Sequence, residues 1–187
     1  LRHVKGVGRV VVASGIRYDM ILADRKSGLE YLRQLVRHHV SGQMKIAPEH
    51  TEGHVLARMC KPDGDSLLRF RELFMALNAK EGRKQFLTYY LIAAYPGCRL
   101  TDMQHLRRFC LDHLRLLPRQ VQIFTPTPST YATLMYWTEQ DPWTGEPCYV
   151  EKTTAGRERQ KQVLASGEQK AGPPHPPIHS RGRKKGR

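Results

Sequence analysis

Four short apolar runs, each stopped by a turn or a proline, alternate with stretches of helical periodicity, and this alternation restricts the fold more than any other feature. Residues 9–14 (RVVVAS) stop at Ser14-Gly15, and residues 43–47 (QMKIA) stop at Pro48. Residues 85–94 (QFLTYYLIAA) stop at Tyr95-Pro96-Gly97, and residues 120–125 (QVQIFT) stop at Pro126-Thr127-Pro128. Runs rich in Val, Ile, Tyr and Phe, bounded by Gly and Pro, read as strands, because proline can neither donate to a ladder nor follow a helical residue comfortably. The intervals are too long for hairpins and carry helical apolar stripes: Leu29, Leu32, Leu35 and Val36; Val55, Leu56 and Met59; Leu67, Phe70, Phe74 and Leu77; Met103, Leu106, Cys110 and Leu114. Strands joined by helical crossovers run parallel. The predicted order is strand, helix, strand, two helices, strand, helix, strand, an α/β fold with about four parallel strands. Four such strands leave open edges, so the choice lies between a small open sheet and part of a larger barrel.

Finer expectations follow from local signals. Thr101 with Gln104 three residues on predicts a capping box at the start of the last long helix. Residues 157–165 predict a short helix. The turn-rich segment 141–147 is expected to pack over the sheet through Trp137 and Trp143.

Ligands of parallel α/β sheets bind at the carboxyl ends of the strands. Here those ends bring Ser14, Arg17 and Asp19; Lys45, Glu49 and His50; Pro96 and Gly97; and the prolyl turn at 125–128. A rim of this composition suits a zwitterionic or nucleotide-like ligand. Arg17 and Lys45 can hold a carboxylate, Glu49 can accept from an ammonium or ribose hydroxyls, and the prolyl turns expose backbone carbonyls. The plainer reading of Glu49 and His50 is that, beside Thr51, they cap the following helix. His50 and His54 have the i, i+4 spacing of helical metal ligands, but with no third ligand beside them the spacing reads as coincidence.

The 187 residues carry a formal charge of +14, unevenly spread. Residues 1–150 hold 21 Lys/Arg against 14 Asp/Glu, and residues 151–187 hold 10 against 3. A cationic tail attracts nucleic acid without specifying it, so nonspecific nucleic acid is one expected partner. Residues 166–187, rich in Gly, Pro, His and basic residues, have nothing with which to build a core and are expected to be disordered. No run approaches the length of a membrane span and no secretory signal is present, which predicts a cytoplasmic protein without a membrane partner. Cys60, Cys98, Cys110 and Cys148 contain no CxxC or CxxxC pair, so no zinc ribbon or iron–sulfur motif can be written from them. Cys110, on a helical apolar face, reads as a buried free thiol.

The segments GVGRVVVASGIRYD, YLRQLVRHHVSGQMKIAPEHT, YYLIAAYPGC and QVQIFTPTPSTYATLMYWTEQDPWTGEPCYV resemble, in order and over about residues 1–150, the YgiQ-type radical S-adenosylmethionine (radical SAM) proteins. The resemblance implies the C-terminal half of a partial (β/α)6 TIM-like barrel over residues 1–137, the start of the family's C-terminal extension over 138–165, and the basic tail. It implies two cofactors, a 4Fe-4S cluster and S-adenosylmethionine, whose reductive cleavage yields a 5′-deoxyadenosyl radical that acts on an unknown substrate. The cluster ligands, a CxxxCxxC loop, are absent from this chain, which is therefore expected to be a fragment inactive alone; that it opens on Leu1, almost directly at a strand, agrees. The resemblance also assigns cofactor-binding roles. Ser14, Arg17 and Asp19 would line the third barrel strand's end, with Arg17 at the methionine carboxylate. Lys45, Glu49 and His50 would face ribose or substrate, Ile92 to Gly97, with Pro96 and Gly97 at its end, would lie near adenine, and Phe124 to Pro128, with Pro126 in it, would give apolar and backbone contacts to adenine. No catalytic residue and no metal ligand is assigned. Two alternatives stand beside this one: a basic nucleic-acid-binding module, and a structural half-barrel that needs a partner chain.

Overall fold

The run Gln43–Glu49 forms strand β1, and its alternation decides which side of the sheet is covered. Met44, Ile46 and Pro48 are buried, whereas Lys45, Ala47 and Glu49 are only partly so. Strand β2, Phe86–Ala93, repeats the pattern, with Leu87, Tyr89, Leu91 and Ala93 buried and Thr88, Tyr90 and Ile92 on the other face. Strand β3 is Gln120–Ile123. The three strands form a parallel sheet in the order β1-β2-β3, with Lys45 opposite Thr88 and Ile92 opposite Gln122. The computed structural model describes residues 4–165; the tail predicted for residues 166–187 lies outside them.

Helices cover one face. They are α1 (Tyr18–Ala23), α2 (Gly28–Gln34, extended by a wider π turn at Leu35–His39), α3 (Gly53–Arg58), α4 (Gly64–Lys80), α5 (Leu100–Phe109, extended by a π turn at Cys110–Leu114), α6 (Tyr131–Thr138) and α7 (Thr154–Ala165). Asp63 starts α4 by accepting the Ser66 N–H at 2.9 Å, the side-chain cap expected of an aspartate there. The stripe of α4 then places Leu67, Phe70 and Phe74 in the core with Met44, Ile46, Leu87 and Leu91 of the sheet. Phe70 and Phe74 are fully buried, each worth roughly 1.5–3 kcal/mol relative to exposure. Cys110 is buried in the same cluster as a free thiol.

Residues 9–14 do not form a strand. Ile16 makes a single parallel bridge to Ile46, and the Val12 N–H donates to the His39 carbonyl at 2.9 Å, so the segment only follows the outer edge of β1. Val12 packs against the core, but Val11 is 43% exposed; a β-branched run gains its strand stability from packing, and here that packing is partial. Helix α5 begins before Thr101, with Arg99 as its N-cap, because the Asp102 carboxylate accepts the Arg99 N–H at 2.7 Å. Helix α7 begins three residues ahead of the predicted 157 and packs through Leu164 into the same core. The tryptophans do not cover the sheet: Trp137 and Trp143 are 68% and 53% exposed. Among the described residues no helix is long and apolar enough to cross a membrane.

Candidate functional site

Because the helices occupy one face, the other face of the sheet presents its alternate side chains to the outside. Strand parity and register bring Lys45, Ala47 and Glu49 of β1 beside Tyr90 and Ile92 of β2 and Gln122 of β3. Together with Ser14 they line a cavity of about 300 Å3. A pocket of that size, with an ammonium, a carboxyl, a phenol, an amide and a hydroxyl around apolar patches, has the mixed lining that binds small polar ligands.

Backbone strain collects at the carboxyl edge of the sheet. The pairing register shifts between Ile46 and Glu49, and Glu49 takes φ of 68°. Ala94, one residue past β2, takes φ of 57°. A non-glycine residue held there costs on the order of 1–3 kcal/mol and persists only where its surroundings fix it. Around Glu49 one fixing contact is visible: Lys61 Nζ lies 3.8 Å from its carboxyl and donates to the Ala47 carbonyl at 2.9 Å. Burial raises the Glu49 pKa above the ordinary carboxylate value, and the Lys61 charge opposes the rise.

The remaining predicted rim residues lie elsewhere. Arg17 is bound to Asp19, 2.5 Å between Nη2 and Oδ2, and this pairing holds the Asp19 carboxyl below its usual range. His50 is 1% exposed, with Nδ1 accepting the Glu52 N–H at 3.0 Å and Nε2 3.5 Å from Cys98 Sγ. Burial lowers its pKa to about 4, so the ring is neutral. Pro96 and Gly97 are buried, and the Gly97 N–H donates to the Tyr149 carbonyl at 2.7 Å. Phe124 packs edge-on against Tyr95 at 5.1 Å and against Tyr136 at 5.9 Å. Pro126 and Pro128 flank Thr127, whose N–H donates to Thr133 Oγ1 at 2.9 Å while Thr130 caps α6. Of the predicted residues, Ser14, Lys45, Glu49 and Ile92 meet in the cavity.

Sequence reasoning missed Tyr90 and Gln122, although strand parity counted from Lys45 would have reached them. It also missed Gln160, which is 1% exposed and accepts the Ala94 N–H at 2.9 Å while donating to the Cys98 carbonyl at 3.1 Å. The cysteines do not converge. Cys60 is exposed and the other three are buried, with burial pushing the Cys98 and Cys110 thiols up to about 12. Among the described residues, the grouping whose donor atoms approach as metal ligands would is Glu52, His54 and Asp102. It contains no thiolate, so these residues do not fit a 4Fe-4S cluster.

No family model matches the chain. It is 51% identical over 164 residues to a UPF0313 protein of Fusobacterium nucleatum subsp. nucleatum, covering 88% of this chain and 29% of that protein. It is 41% identical over 164 residues to a UPF0313 protein of Methanosarcina mazei, covering 88% of this chain and 25% of that one. A UPF0313 protein of Clostridium perfringens is 40% identical over the same length, with 24% of it covered. The chain spans about a quarter of the length of the curated relatives it matches.

Proposed function

We propose that this chain supplies part of the wall of a radical SAM barrel, and that its open sheet face binds S-adenosylmethionine in the whole protein. The observation that carries the reading is the one-sided burial of a parallel sheet. Sheets of this kind are ordinarily covered on both faces or closed into a barrel, and this one leaves bare a polar face with a cavity at Lys45, Glu49, Tyr90 and Gln122. The strand order, the short spans between elements and the motif resemblance agree with a barrel segment.

On this reading Lys45 holds the methionine carboxylate, since Arg17 is already bound to Asp19. Glu49 accepts from the amino group or the ribose hydroxyls, and Tyr90 with Gln122 offers ring surface and an amide to the base. When bound together, the cluster and S-adenosylmethionine supply the family's radical chemistry. The residues on this chain bind and orient the ligand and transfer no proton or electron.

Reading the gene upstream of the Leu1 codon tests the proposal. A CxxxCxxC within a barrel's length upstream is the expected result, and its absence overturns the enzyme reading. As a companion test, the 187-residue chain reconstituted anaerobically with iron and sulfide is expected to show no thiolate–cluster absorbance, and a stoichiometric cluster would contradict the ligand assignment.

A further inference from the structure

A second cluster of chemistry-bearing side chains, which shares no residue with the cavity on the sheet face, lies at the entry to α3 and the first turns of α5. His54 Nε2 is 3.3 Å from Asp102 Oδ2, and His105 Nδ1 is 3.4 Å from Glu52 Oε2. One donor atom from each of Glu52, His54 and Asp102 lies within 4.8 Å of the other two. We propose that Glu52, His54 and Asp102 form a binding site for a divalent transition metal of the zinc type, with His105 as a fourth ligand that closes from Glu52.

The distances carry the first part of the case. Zinc binds imidazole nitrogen and carboxylate oxygen at about 2.0–2.2 Å in tetrahedral geometry, which sets neighbouring donor atoms roughly 3.3–3.6 Å apart by the same geometry. Both His–carboxylate separations fall in that range. The donor types are imidazole and carboxylate without thiolate, a set suited to zinc and its first-row neighbours.

Charge and support carry the rest. In a chain of net charge +14, the side-chain partner of each carboxylate is a histidine. Of the arginines nearest the site, Arg58 donates from Nη1 to the His54 main-chain carbonyl at 3.0 Å and faces Asp141 at 3.5 Å, and the Arg99 guanidinium lies 4.5 Å over the Tyr149 ring, so neither forms an ion pair with Glu52 or Asp102. Two hydrogen bonds fix the segments that carry the ligands: Asp102 Oδ2, the oxygen that faces His54, also accepts the Arg99 N–H at 2.7 Å, and the Glu52 main-chain N–H donates to His50 Nδ1 at 3.0 Å. Asp102 and His105 sit three residues apart on α5, the spacing that puts two side chains on one face of a helix. A bound ion would staple the start of α3 to α5, and the proposal stands independently of the cofactor reading above.

The test is isothermal titration of the full 187-residue chain with Zn2+ alone, in parent protein and variants, with Co2+ absorption as a second readout. His54 and His105 have side chains 48% and 55% exposed, so His54→Gln and His105→Gln should keep the parent's metal-free melting curve. The expected result is one equivalent of Zn2+, weakened about tenfold or more by His54→Gln, the scale seen when a ligand or its support is lost, and weakened less by His105→Gln. A His175→Gln/His179→Gln variant in the tail should bind as the parent does, and Co2+ should give ligand-field bands without a thiolate charge-transfer band. Absence of Zn2+ binding, binding undiminished in His54→Gln, loss in the tail variant, or a thiolate charge-transfer band would each overturn the site.

Discussion

His50 Nε2 and Cys98 Sγ meet at 3.5 Å in the core, joining the end of β1 to the turn after β2. Since His50 Nδ1 accepts the Glu52 N–H, the ring proton sits on Nε2 and is directed at sulfur. Cys98 Sγ in turn lies 3.4 Å from Gln160 Oε1, and Gln160 bonds both the Ala94 N–H and the Cys98 carbonyl. One histidine, one thiol and one amide thus lock α7 against the carboxyl edge of the sheet. Buried polar groups stabilise when every member is partnered, and here each is.

That lock makes the fold acid-sensitive. The His50 pKa falls from 6.5 to about 4 on burial, so between those values the unfolded chain binds a proton that the folded chain does not. Stability from this group is complete above about pH 6.5 and declines as pH falls through 4, by about 3 kcal/mol at the low end. Urea unfolding across pH 4 to 7 should show this slope in the parent and lose it in His50→Gln; identical slopes in the two proteins would refute the role given to His50.

Gly97 should not tolerate a side chain. Its φ is +90°, and a Cβ there would stand 3.0 Å from Arg58 Cδ. Both the backbone conformation and the contact penalise Gly97→Ala, together by about 2 kcal/mol. Denaturant melts should register the loss as a lower midpoint with an unchanged m-value.

Thiol chemistry should separate the cysteines cleanly. Cys60 is exposed, whereas Cys98, Cys110 and Cys148 are buried and their thiols are pushed up by burial. The thiolate is the reactive form, so iodoacetamide at neutral pH should add once to the native chain, at Cys60. Peptide mass mapping that finds early modification of Cys98 would contradict its place in the core.

The cationic tail gives the nucleic-acid reading its own test. Residues 166–187 carry six Lys/Arg against one acidic residue, and neutralised phosphates make binding fall steeply with salt. Deleting 166–187 should reduce RNA affinity at low salt about tenfold or more. Affinity that survives the deletion would move nucleic-acid recognition into the folded part.

The parallel sheet was legible because Pro96-Gly97 and Pro126 stop apolar runs locally, whereas Pro48, read as a stop, lies inside β1, where the pairing register shifts between Ile46 and Glu49. Residues 9–14 misled for the same reason in reverse: RVVVAS has strand propensity, but propensity expresses itself only where packing buries the run, and although Val12 reaches the core, Val11 is left exposed. The Lys45, Glu49 and Ser14 grouping was readable from strand ends. Arg17 was not, because its pairing with Asp19 two residues away competes locally for the guanidinium. Gln160 and the partners of His54 escaped sequence reasoning altogether. Their contacts lie 62 and 48 residues away, and a glutamine in a polar helix gives no periodic signal that it is buried.

The most direct test of the proposed function is equilibrium binding of S-adenosylmethionine to protein expressed from the complete reading frame that encodes this chain. Contacts to charged groups in a shielded site contribute about 1.5–3 kcal/mol each, so Lys45→Ala/Glu49→Gln should weaken binding at least about tenfold while the exposed Lys80→Ala leaves it unchanged. Equal affinity in the parent and the Lys45→Ala/Glu49→Gln variant would contradict the assignment of the open sheet face as the ligand surface.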